Sequence, residues 1–221
     1  MNKLLLLALS NVVLFSCSEE EKIVNPDIVI KGKITNADGN TAWIETFINE
    51  RTEATVGANG EFEIKIALTQ AACFDLVNGK ARTYLCLAPG DTVNVSFDAK
   101  DITGTVKYEG KDATFPNYLA EKKRTINQLM SGEYDSLYVL NADTFLLTAE
   151  TLIAKLKTSF DNIKGDTNID KSILSWEESA INLDKTALIL DYPYYSKLMK
   201  GIDSVPGLDK ILAATSTLSL A

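Results

Sequence analysis

Between Ile28 and Asp98, apolar and polar residues alternate in short runs separated by turn residues. Ile28, Ile30 and Ile34 fall on one side of the first run with Gly32. Val29, Lys31 and Lys33 fall on the other, the pattern of a strand that covers one face of a core. Asn36-Ala37-Asp38-Gly39-Asn40 supplies turn chemistry, and Ala42 to Phe47 reads as the returning strand. Glu53 to Val56 reads as another, closed by Gly57-Ala58-Asn59-Gly60. Phe62, Ile64 and Ile66 then alternate with Glu61, Glu63 and Lys65, the cleanest period-two stretch in the chain. Cys73 to Val77 and Arg82 to Ala88 flank Asn78-Gly79-Lys80-Ala81, and Pro89-Gly90-Asp91 turns into a strand carrying Val93, Val95 and Phe97. Gly104 to Tyr108 adds a last short strand. About seven to nine short strands with turns this frequent predict an antiparallel β-sandwich or barrel-like domain over residues 28–111.

From Thr114 onward glycine becomes sparse and apolar residues recur at spacings of three and four. Tyr118, Leu119, Ile126, Leu129 and Met130 suit one helix that begins near Phe115-Pro116. Phe145, Leu146, Leu152, Ile153, Leu156 and Phe160 suit a second, with Asp143 as its N-cap and Gly165 past its end. A third runs from Asp170 through Trp176, Ile181, Leu183, Leu188 and Ile189 to Asp191, where Pro193 is expected to stop it. Shorter helices are expected over Tyr194 to Met199 and Leu208 to Ala214. The fold class is therefore α+β: strands first, then an all-helical segment over residues 112–221.

The hairpin between the two inner cysteines has two readings. A two-residue loop at Gly79-Lys80 pairs Asn78 with Ala81 and, five residues along each strand, Cys73 with Cys86. That cysteine pair is then non-hydrogen-bonded, where antiparallel backbones come closest, and a cross-strand disulfide is geometrically allowed. A loop at Asn78-Gly79 matches the type I′ preference, shifts the register and leaves two unpaired, half-buried thiols.

Ahead of the strands, Asn2-Lys3 opens a positive start and Leu4 to Phe15 an apolar run, too short for the ~20 residues a spanning helix needs. It reads as an export signal, residues 1–16. Leu14-Phe15-Ser16-Cys17 resembles a bacterial lipobox, which implies that Cys17 is lipidated and becomes the new N-terminus, anchoring the protein to a membrane. Residues 17–27 form an acidic tether whose Glu19-Glu20-Glu21 has two readings. It is a solvated spacer, or it resembles the signal that sends Bacteroidota lipoproteins to the cell surface. Either way the expected place is the cell envelope, as an outer-membrane lipoprotein on the periplasmic face or the cell surface.

Charge and composition narrow the chemistry. The net charge is −8 with 22 basic and 30 acidic residues, an acidic balance that argues against a nucleic-acid partner. Histidine is absent, which removes the Ser-His-Asp and Cys-His constellations and the commonest zinc ligand. Cys73 and Cys86 do not form C-x-x-C. Asp38-Gly39-Asn40 lacks the alternating acids and distal glutamate of a calcium loop, and Glu177-Glu178 are helix neighbours about 100° apart, unable to flank one bond. No catalytic residue, metal or cofactor is expected. Lys122-Lys123-Arg124 reads as a solvated helix face. Tyr192, Tyr194 and Tyr195 beside Trp176 suggest either a carbohydrate-stacking platform or aromatics that anchor a helix on its neighbour, the second being the commoner use.

Several segments in order resemble the N-terminal part of the TlpA-like thiol-disulfide oxidoreductases of Bacteroidota. They are Ile30-Lys31-Gly32-Lys33-Ile34 with Asp38-Gly39, Asn59-Gly60-Glu61-Phe62-Glu63-Ile64, Leu87-Ala88-Pro89-Gly90-Asp91-Thr92-Val93, Val106 to Ala113, and Asn117-Tyr118-Leu119. Ile181 to Tyr195 resembles the helical segment between that family's two domains. Family members that reduce disulfides carry W-C-x-x-C in a thioredoxin domain, a motif missing from this sequence. The resemblance thus implies a non-catalytic accessory module, partnered with an envelope protein or a thioredoxin domain. The alternative expectation is a surface lipoprotein that binds glycan or peptide through its β domain.

Overall fold

The computed structural model describes residues 26–46, 50–129 and 135–216. The export signal, Cys17 and the acidic run lie outside the described residues, as do Phe47 and Met130.

Among the described residues, eight strands make two four-stranded sheets. The first contains β1 (Asp27–Thr35), β4 (Glu61–Ala67), β7 (Thr92–Asp98) and β8 (Lys107–Glu109) in the order β4-β1-β7-β8. The second contains β2 (Thr41–Glu45), β3 (Arg51–Thr55), β5 (Ala72–Asn78) and β6 (Ala81–Leu87) in the order β3-β2-β5-β6. Ile28, Ile30, Ile64, Val93, Val95 and Phe97 from the first sheet meet Ala42, Ile44, Phe74, Leu76, Leu85 and Leu87 from the second. Each large aliphatic buried there contributes roughly 1.5–3 kcal/mol, which is why the alternation along β1 and β7 is so strict. Gly32 sits on this inner side opposite Phe62, whose ring lies where a Gly32 side chain would be, 2.1 Å from an added Cβ.

All pairings are antiparallel except that of β1 with β7, which runs parallel with Val29 beside Thr92 and Thr35 beside Asp98. A parallel pair needs a long crossover, and here β2 to β6, which include β4 of the same sheet, serve as that connection.

The β5–β6 hairpin takes the Gly79-Lys80 loop, with Asn78 paired to Ala81 and Cys73 to Cys86. Gly79 carries φ +57° while Lys80 stays at negative φ, so the type I′ geometry is not adopted. Asn78 is unavailable as a loop residue because it is fully buried and pinned. Its Oδ1 accepts from the Asp38 N–H at 2.8 Å, and its Nδ2 donates to the carbonyls of Thr41 and Asp38 at 3.0 and 3.3 Å. Side-chain recognition of the preceding β1–β2 turn thus decides the register. The Cys73 and Cys86 sulfurs are bonded, at 1.98 Å.

The strand expected from Gly104 begins only at Lys107. Its first half is instead a helical turn, α1 (Ile102–Thr105), because Asp101 accepts from the Gly104 N–H at 3.0 Å and Thr105 donates back to the Asp101 carbonyl. The helical segment then comprises α2 (Thr114–Leu129), α3 (Asp135–Tyr138), α4 (Ala142–Asp161), α5 (Lys171–Lys200) and α6 (Leu208–Ser216).

Two helix expectations are corrected. Asn141, not Asp143, caps α4, its side chain accepting from Thr144 N–H, while Asp143 in the first turn pairs with Lys210 at 2.6 Å. Pro193 does not end α5, which continues unbroken for 30 residues to a left-handed Gly201. The proline removes one backbone donor. Tertiary anchoring on both sides outweighs that loss: Tyr192 packs against Phe145 with ring centroids 4.1 Å apart and donates to the Leu140 carbonyl, and Tyr195 packs on Tyr138.

α2 joins the two halves. Its Phe115, Tyr118 and Leu119 belong to the helical core, and its Ala120 belongs to the sandwich core. Asn117 holds the β8 backbone as a neighbouring strand would, accepting from Tyr108 N–H at 3.0 Å and donating to the Tyr108 carbonyl at 2.8 Å. The helices lie against the outer side of the second sheet near the disulfide, where Cys86 is buried among them.

Candidate functional site

A cleft of about 350 Å³ lies at the seam where sheet and helices meet. Its walls are the outer side of β5 and β6 (Asp75, Arg82, Tyr84) with Thr83 of the edge strand β6, the α1 turn and the residue after it (Ile102, Thr103, Val106), one side of α2 (Leu119, Ala120, Lys122, Lys123, Ile126), and Trp176 and Glu177 of α5. The lining is chiefly apolar with a few polar groups, and its size falls in the range of small-molecule sites. Tyr84 and Trp176 face each other with ring centroids 6.1 Å apart, and both are partly exposed. Strand alternation puts Tyr84 on the outer side, because Leu85 faces the sandwich core.

At the same cleft stands a buried polar network. Glu177 is fully buried. Its Oε1 accepts from the Tyr118 hydroxyl at 2.5 Å and from Lys122 Nζ at 2.9 Å, and Lys122 also pairs with Asp184 at 3.2 Å. Glu177 Oε2, by contrast, has no hydrogen-bond partner in the protein. A buried acceptor left unmet costs about 1–3 kcal/mol, and more when it carries charge, so this oxygen is an expensive feature to keep. Burial, and after it the hydrogen bond to Glu177, raises the Tyr118 phenol well above its ordinary value, which keeps it a donor. Burial also raises Tyr84, helped by the charges of Asp75 and Glu177.

The basic triplet is not the solvated face expected of it. Lys122 is largely buried, its side chain 13 % exposed where it pairs with Glu177. Arg124 donates to the carbonyls of Thr103 and Val106 at 2.9 and 2.6 Å, fastening α2 to the α1 turn that forms one wall. Of the three, Lys123 alone is exposed, at the cleft rim.

The tyrosines and Trp176 do not come together. Tyr192 is buried in the helical core, Tyr195 packs beside it, and Trp176 is about 24 Å from Tyr192 along α5 at 1.5 Å per residue. Helix anchoring accounts for two of the three tyrosines, and Tyr194 is exposed. Asp38 and Asn40 belong to the turn held by Asn78. Among the described residues, no three Cys, Asp or Glu side chains converge as metal ligands would, and no helix is long and apolar enough to cross a membrane. Lys122 and Glu177 were both visible in the sequence, but neither the charge run nor the acidic pair signals that they meet across 55 residues.

No protein-family model, curated protein or solved structure was found to match the chain.

Proposed function

We propose that this chain is an envelope lipoprotein that acts as a non-catalytic accessory module and works by binding at the cleft between its sheet and its helices. The observation that carries the binding role is a preformed cleft with an apolar, aromatic lining, one of whose lining residues, Glu177, keeps a buried carboxylate oxygen unpartnered. The tether rests on the lipobox-like Leu14-Phe15-Ser16-Cys17. The accessory role beside a thioredoxin domain, or toward that domain's substrate, rests on the ordered motifs that resemble TlpA-like oxidoreductases. The buried place of Cys86 within the helical core favours a structural over a redox role for its disulfide.

A fragment screen read by amide chemical shifts tests the binding role. Hits should gather on residues 82–84, 102–106, 119–126 and 176–177; hits scattered over the surface, or none, would refute it. Metabolic labelling with a clickable palmitate tests the tether, with label expected on the wild type and lost in Cys17→Ser. Sustained insulin reduction by the purified chain would contradict the non-catalytic assignment.

A further inference from the structure

We infer that the seam cleft takes small organic molecules that carry a hydrogen-bond donor, a hydroxyl or an amine, on a flat apolar body. The inference rests on the binding role proposed above and names its ligand class.

Three observations lead to it. The first is the asymmetry of Glu177. Oε1 is saturated by Tyr118 and Lys122, whereas Oε2 on the same fully buried carboxylate has no donor from the protein. Glu177 is one of the residues that line the cleft and its Oε2 is closed to solvent, so a guest that pressed in deeply enough to reach it would supply the missing donor. The second is the shape of the walls, where the Tyr84 and Trp176 rings flank an apolar lining from α1 and α2, suited to a flat hydrocarbon or aromatic body. The third is the state of the cations. Lys122 is held between Glu177 and Asp184, and Arg82 between Asp75 and Glu45. Both charges are already matched and Lys123 stands exposed at the rim, so an anionic guest would meet a cation only at the mouth and the Glu177 carboxylate deeper in. Preference for a donor therefore follows from what the site leaves unmet.

The test uses Trp176 fluorescence in the full chain carrying Trp43→Phe, which removes the other of the two tryptophans. Three probes of nearly one shape separate the chemistry: 4-methylphenol has a donor, 4-methylanisole has lost it, and 4-methylbenzoate is an anion. The phenol should give a saturable change at least about tenfold tighter than either of the others, the scale of a hydrogen bond to a charged acceptor. In Glu177→Gln the amide keeps its oxygen toward Tyr118 and Lys122 and puts its NH2 where Oε2 stood. The phenol-over-anisole preference should then fall below about threefold. Thr103→Phe fills the cleft without touching Glu177 and should abolish binding of the phenol with the fold unchanged by circular dichroism. A wild-type preference below threefold, a preference that survives Glu177→Gln, or phenol binding untouched by Thr103→Phe would each overturn the inference. Phenol and anisole binding equally at a cleft that Thr103→Phe blocks would sink the ligand class and leave the binding role standing. No saturable binding by any probe, together with an empty fragment screen, would sink both.

Discussion

Replacing Asn78 by alanine should cost the fold about 3–4 kcal/mol. The side chain is fully buried and makes three hydrogen bonds to the backbone of the β1–β2 turn and of β2. Each bond is worth about 1 kcal/mol net, and its loss leaves the Asp38 N–H and the Thr41 carbonyl without their partner, which adds to the cost. Against a total stability of about 5–15 kcal/mol this is a large fraction, and for a chain of this size it lowers the melting temperature by roughly 10 °C. Asn78→Asp separates hydrogen bonding from volume. Aspartate keeps the shape and the acceptor for Asp38 N–H, but it turns a negative oxygen toward two carbonyls in a buried site. It should be at least as damaging as alanine. Urea denaturation of the oxidised protein, followed by circular dichroism with unchanged slope, measures both. A loss below about 1 kcal/mol for Asn78→Ala, or a milder effect for Asn78→Asp, would refute the assignment of the hairpin register to this side chain.

Lys122→Met strands the buried Glu177 with only the Tyr118 hydroxyl and should destabilise by about 3–5 kcal/mol, while the double change with Glu177→Met should return to near wild-type stability, as buried pairs replaced whole tend to do; equal stability of the single variant and wild type in denaturant melts would disprove the coupling. The Cys73–Cys86 bridge spans 13 positions and should add about 3 kcal/mol by restricting the unfolded chain. Titration of the denatured, unreduced protein should find both sulfurs unreactive, and two reactive thiols there would remove the bridge. Burial, with the nearby charge of Asp112, raises Asp91 from its ordinary value to about 6. Its folded state therefore holds a proton that the unfolded chain releases near pH 4, so stability should fall as pH rises from about 4 to about 6. Carbon-detected NMR should place its midpoint near 6, and Asp91→Asn should flatten that slope; a midpoint near 4 would count against it.

The strands were readable because burial on one side leaves a period-two trace, seen along Glu61 to Lys65 and Thr92 to Asp98. Helix positions were readable for the same reason, and Asp170, where the third helix was expected to begin, is the residue that caps α5. What escaped is set by partners distant in sequence. Nothing local distinguishes the Gly79-Lys80 loop from Asn78-Gly79, since the deciding contact is from Asn78 to a turn 40 residues earlier. Pro193 is a stop signal until aromatic anchors on α3 and α4 hold the helix through it. The parallel partner of β1 likewise lies beyond any local pattern. For the cleft the gap is widest. Trp176, Glu177 and Lys122 each suggested a different ordinary role, and only the docking of α5 beside α2 turns them into one arrangement.

β1 occupies an interior place in its sheet, yet its two neighbours come from residues 61–67 and 92–98. A chain delivered N-terminus first, whether from a ribosome or through a pore, presents this strand long before either neighbour exists. For that interval Ile28, Ile30 and Ile34 and both rows of backbone donors and acceptors are uncovered, a template for aggregation. Productive folding must wait for residue 98, and the long separations involved make that step slow. The first segment of the sandwich to emerge is thus among the last to be satisfied, and any holding factor the cell supplies would find its natural target there.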